Sequence, residues 1–142
     1  MKKLLLINDL AGVGKVAMSS MIPTLSKLGI TSNYLPTALV SNTLDYGIFD
    51  ILDTTSYMKN TIDCWNKLGF KFDAIATGFI VTDEQSKMIY DYCINAKKDN
   101  TLVFVDPIFG DNGKLYNGMS QTNIDNMKRL ISFIIVISII TS

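Results

Sequence analysis

The sequence predicts an α/β fold with a mainly parallel sheet, and three observations carry that reading. Short apolar runs at residues 3–7, 73–77 and 101–105 have the length and the residue types of buried strands. Longer stretches between them place apolar residues at helical spacing. Two of those stretches end in glycine, Gly29 and Gly69, where a helix closes most easily. Strand and helix in alternation is the order of βαβ units.

The first strand, residues 3–7, stops at a turn of Asn8, Asp9, Gly12 and Gly14. Val16, Met18, Met21, Ile22, Leu25 and Leu28 then follow a helical period, and Pro23 implies a kink or a late start. Residues 30–40 read as a second extended region, with Pro36 marking an edge or a bulge. Residues 41–53 form a polar, glycine-containing excursion. Thr54 or Thr55 caps a helix that runs to Leu68. The strand at 73–77 ends at Gly78, and Thr82 opens the next helix, which reaches Lys97. The strand at 101–105 ends at Asp106-Pro107, residues 110–118 form a loop, and Ser120 or Thr122 caps a last helix through Leu130.

Composition narrows the function. The chain has 142 residues, 48% of them apolar and 18% charged, with a formal net charge of zero. That is a globular balance without a basic patch, so neither nucleic acid nor an anionic membrane surface is expected as partner. There is no histidine, which excludes Ser-His-Asp chemistry and a histidine zinc site within these residues. Cys64 and Cys93 stand apart from each other and read as reduced thiols, which points to a cytoplasmic protein. The N-terminal apolar run stops at Asn8, too early for a signal peptide, and the run from Leu130 to Ile140 is too short to span a bilayer.

In an open parallel sheet, ligands bind beyond the carboxyl ends of the strands. The polar residues at those ends are Asn8 and Asp9, Ser41 and Asn42, Thr77 and Gly78, then Asp106 and Asp111. The run Asp9-Leu-Ala-Gly-Val-Gly-Lys15 hints at a phosphate loop, but Asp9 stands where a Walker glycine belongs and Val16 where Ser or Thr belongs. It also reads simply as a tight turn. Asp106 and Asp111 could hold Mg²⁺ against a triphosphate, or could each begin an ordinary turn. Residues 35–47 suit the wall of a pocket for a flat polar ring, or a surface loop.

Taken together, Asn8-Asp9-Leu10-x-Gly12-x-Gly14, Leu35-Pro36-Thr37-Ala38 with Ser41-Asn42, Thr77-Gly78-Phe79, and Asp106-Pro107-x-x-Gly110-Asp111-Asn112-Gly113-Lys114-x-Tyr116 resemble bacterial pyridoxal/pyridoxamine kinases of the ribokinase-like superfamily. The resemblance covers residues 1–132. It implies the N-terminal portion of a ribokinase-like three-layer fold, followed at 133–142 by an aberrant apolar tail. It also implies ATP-dependent phosphorylation of the 5′-hydroxymethyl group of pyridoxal, pyridoxine or pyridoxamine, with Mg²⁺, and a homodimer in full-length relatives. Asn8, Asp9, Ser41, Asn42, Gly78 and Phe79 correspond to substrate-binding positions. Asp106 and Asp111 correspond to carboxylates near the nucleotide and the metal, and Tyr116 to a structural residue. Leu44 replaces a hydroxyl residue that many relatives carry. The neighbouring hydroxymethylpyrimidine kinases share the Asp-Pro segment but usually lack the Gly-Asp-Asn-Gly continuation.

The family's catalytic base lies in a Gly-x-Gly-Asp segment, and these 142 residues contain none. No catalytic residue is therefore assigned here. The expectations are weak or no kinase activity from this chain alone, and a frameshifted or prematurely ended reading frame behind residues 133–142. Two rival readings stand beside it: a hydroxymethylpyrimidine kinase of the same superfamily, and a non-catalytic α/β fragment that binds a small molecule or a full-length kinase subunit.

Overall fold

The computed structural model describes residues 2–107, 110–111, 114–115, 121–132 and 135–136. Its strands are β1 (Lys3–Val13), β2 (Thr31–Asn42), β3 (Ile51–Asp53), β4 (Ala74–Thr77), β5 (Leu102–Val105), β6 (Gly110–Asp111), β7 (Lys114–Leu115) and β8 (Ile135–Val136). Its helices are α1 (Met18–Lys27), α2 (Thr55–Leu68), α3 (Asp83–Lys97) and α4 (Gln121–Ile131), with one 3₁₀ turn at Leu44–Tyr46. Six strands make one sheet in the order β3-β2-β1-β4-β5-β8. Every neighbouring pair is parallel except β2 with β3. The α/β fold with a mainly parallel sheet is the one expected.

β1 departs from expectation. Residues 8–13 continue the strand instead of turning, because β2 offers a partner along the whole length, from Lys3 opposite Thr31 to Val13 opposite Asn42. Between Asn8 and Leu10 the register slips, and the extra residue falls on β2 just after Pro36. A proline has no N–H for the ladder, so a bulge there costs least. Gly12 suits this stretch, since a Cβ on it would stand 2.9 Å from the Ser41 carbonyl oxygen.

α1 starts late, at Met18, and carries Pro23 inside it. The Ser19 hydroxyl donates to the Ala11 carbonyl at 2.7 Å and fastens the first turn to β1. At the far end the Ile30 N–H bonds to the Leu25 carbonyl at 3.0 Å while Gly29 adopts φ 72°, a left-handed stop. α2 occupies the expected span, but neither Thr54 nor Thr55 caps it through its hydroxyl. The Asp53 carboxylate accepts from the Thr55 N–H at 2.8 Å, while the Thr54 hydroxyl reaches across to the Pro36 carbonyl at 2.6 Å. α3 is capped as expected, by the Thr82 hydroxyl accepting from the Gln85 N–H. The excursion at 41–53 contains the 3₁₀ turn and β3, and the loop at 110–118 contains the antiparallel pair β6–β7. Within the expected tail, Ile135–Val136 pairs in parallel with Phe104–Val105.

Burial sets where the helices lie. Leu5, Ile7, Leu35, Ile75, Val103 and Val105 form one core with Met58 and Ile62 of α2, Ile89 and Cys93 of α3, and Met127 and Leu130 of α4. Fully burying each such aliphatic side chain stabilises the fold by roughly 1.5–3 kcal/mol. Leu6 is equally buried and, by strand alternation, lies on the other face, the side of α1. The chain leaves β1 for β2 in one direction and returns to β4 on its other flank. That reversal opens a crevice beyond the carboxyl ends of β1 and β4.

Candidate functional site

A hollow of about 260 Å³ lies at that crevice. β1 supplies Asp9 and Ala11, and the segment entering α1 supplies Val16 and Ala17. β2 and the turn after it supply Val40, Asn42, Thr43, Leu44 and Asp45, and Phe79 closes the wall beyond β4. The lining is mostly apolar, with few polar groups, as in sites for flat small molecules. Burial pushes the Asp9 carboxyl above its ordinary range, only partly opposed by a backbone hydrogen bond. More of it is therefore protonated near neutral pH than of a free aspartate, and a protonated carboxyl both donates and accepts.

Three of the six expected substrate positions, Asp9, Asn42 and Phe79, line the hollow. The other three do not line it. Asn8 is buried, and its Oδ1 accepts from the Phe79 N–H at 2.8 Å and from the Asp9 N–H at 3.0 Å. One amide oxygen thus holds two wall residues from two strand ends. Gly78 packs directly on that amide: a Cβ there would stand 2.4 Å from Asn8 Nδ2. Ser41 points outward. Its hydroxyl donates to Asn42 Oδ1 at 2.7 Å and accepts from the Asp50 N–H at 2.8 Å. Asn42 Nδ2 in turn donates to the carbonyls of Thr43 and Ile48 at 3.1 and 2.9 Å. The Ser-Asn pair thereby ties both ends of residues 43–50, the segment that carries Leu44 into the pocket. Leu44 gives that pocket an apolar wall.

Asp106 follows β5 at the same edge of the sheet, and its N–H bonds to the Thr77 carbonyl at 3.1 Å. It is half-buried, and burial raises its pKa. The backbone of Asp111 ends β6 opposite Lys114, while its side chain lies outside the described residues, as do Tyr116 and Ser120. Among the described residues no cluster of three or more His, Cys, Asp or Glu side chains could hold a metal ion. Magnesium is commonly held by one or two carboxylates with phosphate oxygens and water, and Asp106 fits the part of a single carboxylate.

The motifs pointed to the strand ends, and residue pattern could not show that Val16 and Ala17 reach the same hollow. Nor did it single out Gln85, which is fully buried in α3. A buried glutamine must find partners, but its sequence position does not say which. A second hollow, of about 180 Å³, lies at the opposite rim between α2 and α3 and includes Phe70, Lys71, Tyr92 and Asp99. It contains none of the expected residues and lies at the amino ends of the strands. Among the described residues no helix is long and apolar enough to cross a membrane.

Comparison with known proteins agrees with this geometry. No protein-family profile matches the chain. A candidate pyridoxal kinase of Schizosaccharomyces pombe is 34% identical over 88 residues, which cover 58% of this chain and 25% of that protein. A candidate phosphomethylpyrimidine kinase of Bacteroides thetaiotaomicron, crystallised with pyridoxal, superposes with a TM-score of 0.88 at 37% identity, covering 92% of this chain and 46% of the other. The pyridoxal kinase of Lactobacillus plantarum superposes with a TM-score of 0.80 at 28% identity, covering 92% and 47%. The chain is thus pyridoxal-kinase-like in sequence and ribokinase-type in fold, and it spans about half the length of the solved structures it matches.

Proposed function

We propose that this chain is the substrate-binding half of a vitamin B6 kinase, and that the hollow at the carboxyl ends of β1 and β4 takes the pyridine ring of pyridoxal, pyridoxine or pyridoxamine. What supports this is a hollow lined by Asp9, Asn42 and Phe79 in a chain that is 37% identical to a neighbour crystallised with pyridoxal. Phe79, Val40 and Leu44 offer apolar surface to a flat ring. Asp9 lies on the same wall and can accept from a ring substituent.

The reaction is transfer of the ATP γ-phosphoryl group to the 5′-hydroxymethyl oxygen. Asp106 stands at the neighbouring strand end and would be the carboxylate to hold a magnesium–nucleotide complex there. The metal supplies neutralisation of phosphate charge when bound. This chain's own part is to bind and orient the vitamer, and orientation is a large share of catalysis in phosphoryl transfer. The alcohol proton needs an acceptor. No Gly-x-Gly-Asp segment occurs in these residues, so we expect binding without appreciable turnover from the 142 residues alone.

Isothermal titration of the purified chain with pyridoxal, and separately with hydroxymethylpyrimidine, tests the reading. Saturable binding of pyridoxal that Asp9→Ala and Phe79→Ala weaken supports it. Preference for the pyrimidine would reassign the substrate, and no binding of either ring would remove the proposal. Formation of pyridoxal phosphate by the chain with ATP would refute the expected inactivity.

A further inference from the structure

We infer that Thr37 and Gln85, neither of which lines the pocket, are positioning residues that fix Phe79 against the bound ring; the inference rests on the pyridoxal-site reading above. Phe79 follows β4 outside any helix or strand, so no ladder holds its backbone. It is instead gripped at both polar groups. Its N–H donates to Asn8 Oδ1 at 2.8 Å, and its carbonyl accepts from the Thr37 hydroxyl at 2.7 Å. Asn8 and Thr37 belong to β1 and β2, two rigid strands, and both are buried.

Thr37 lies in the bulge after Pro36, where β2 carries its extra residue. A bulge re-aims side chains, and here it is the stretch from which a hydroxyl reaches a carbonyl 42 residues further along the chain. The bulge is itself braced. Gln85 Nε2 donates to the Thr37 carbonyl at 2.8 Å and to Asp53 Oδ1 at 3.1 Å, while Gln85 Oε1 accepts from the Val81 N–H at 3.0 Å. Val81 is two residues beyond Phe79. One buried amide therefore fixes the bulge on one side and the segment after β4 on the other. The same Asp53 oxygen accepts from the Thr55 N–H at the start of α2. The network runs from the capping carboxylate of α2, through α3, to the pocket wall. Gln85 and Thr37 have no exposed surface, and the bond between them is buried, so losing one partner there leaves the other unsatisfied.

A merely structural role would alter stability and leave ligand affinity alone; a positioning role alters both the order of Phe79 and the affinity. The test uses the 142-residue chain with Thr37→Val, which keeps the shape and removes the donor, and Thr37→Ser, which keeps the donor. Amide exchange at Phe79 by NMR is read without ligand, and pyridoxal affinity is read by titration. We expect T37V to speed Phe79 exchange and weaken pyridoxal binding by about tenfold, and T37S to stay within about threefold of wild type. Gln85→Met, read in the same two ways, makes the measurement from the other end of the network should T37V not fold. Exchange and affinity both unchanged in a folded T37V or Q85M chain would overturn the inference, as would faster exchange with unchanged affinity. A wild-type chain that binds no pyridoxal is a different result: it removes the function reading, and the positioning role falls with it.

Discussion

Gly78 and Asn8 are a pair in which the structure sets both the size and the sign of a mutational effect. A Cβ added at Gly78 would stand 2.4, 2.5 and 2.6 Å from Nδ2, Cγ and Oδ1 of Asn8. All three atoms belong to a buried amide that is already bonded, so the clash cannot be relieved by swinging a side chain into solvent. Overpacking of this kind costs about 1–3 kcal/mol. Moving the amide also strips the acceptor from the Asp9 and Phe79 N–H groups, a further cost of about 1–3 kcal/mol. A loss of about 3 kcal/mol is a large part of the roughly 5–15 kcal/mol that holds a domain together. At a urea dependence of about 2 kcal/mol per molar, Gly78→Ala should lower the unfolding midpoint by about 1.5 M with little change in slope. Because the offended atoms are all in one side chain, Asn8→Ala should absorb the clash. In the Asn8→Ala background, Gly78→Ala should cost about 0.5 kcal/mol or less, giving a coupling of about 2.5 kcal/mol. Gly69→Ala is the control. Gly69 has φ 69° and no atom within 4 Å of its Cβ position, so its cost is of backbone origin, about 1–2 kcal/mol, and independent of Asn8. The assay is urea unfolding of the four members of the cycle followed by circular dichroism. Additive effects of Asn8→Ala and Gly78→Ala would refute the packing argument.

Two further outcomes follow from the burial of titratable groups. Asp9 has a folded pKa above its unfolded one, so between the two values the native state binds more protons and stability falls as pH rises. The loss begins near the unfolded carboxylate pKa of about 4 and is complete once the pH exceeds the raised folded value; Asp9→Asn should flatten this descent in unfolding midpoints measured from pH 3.5 to 7, and an unchanged slope would contradict the assignment. Cys93 is buried, with its thiol pushed up to about 12, whereas Cys64 is exposed. A thiol reagent at pH 8 should therefore modify one cysteine in the native chain and two in urea, and mass mapping should find the native label on Cys64.

Much of the scaffold was legible from residue pattern because its causes are local. The period of Met58, Ile62 and Trp65 belongs to α2 whatever packs on it, and Gly69 stops that helix through its own φ. The β-branched and aromatic run before Asp106 makes a strand on the same grounds; the strand-end rule brought Asp9 and Asn42 to one edge, and Phe79 was added only by the family resemblance. β3 was not legible, since three residues carry no period and owe their strand state to β2 alongside.

What tertiary structure alone decided is which of those strand-end groups line the hollow and which hold the others in place. Asn8 and Asp9 are adjacent and both polar, yet one turns inward to two backbone N–H groups and the other lines the hollow. The length of β1 was likewise settled by β2, whose ladder converts a glycine-rich segment from a turn into a strand. The roles of Thr37 and Gln85 entered the account only through partners far along the chain. The amino-acid order determines propensity and periodicity, which act over a few residues, whereas the bonding of a buried polar group depends on which distant backbone arrives opposite it, and that is a property of the folded chain as a whole.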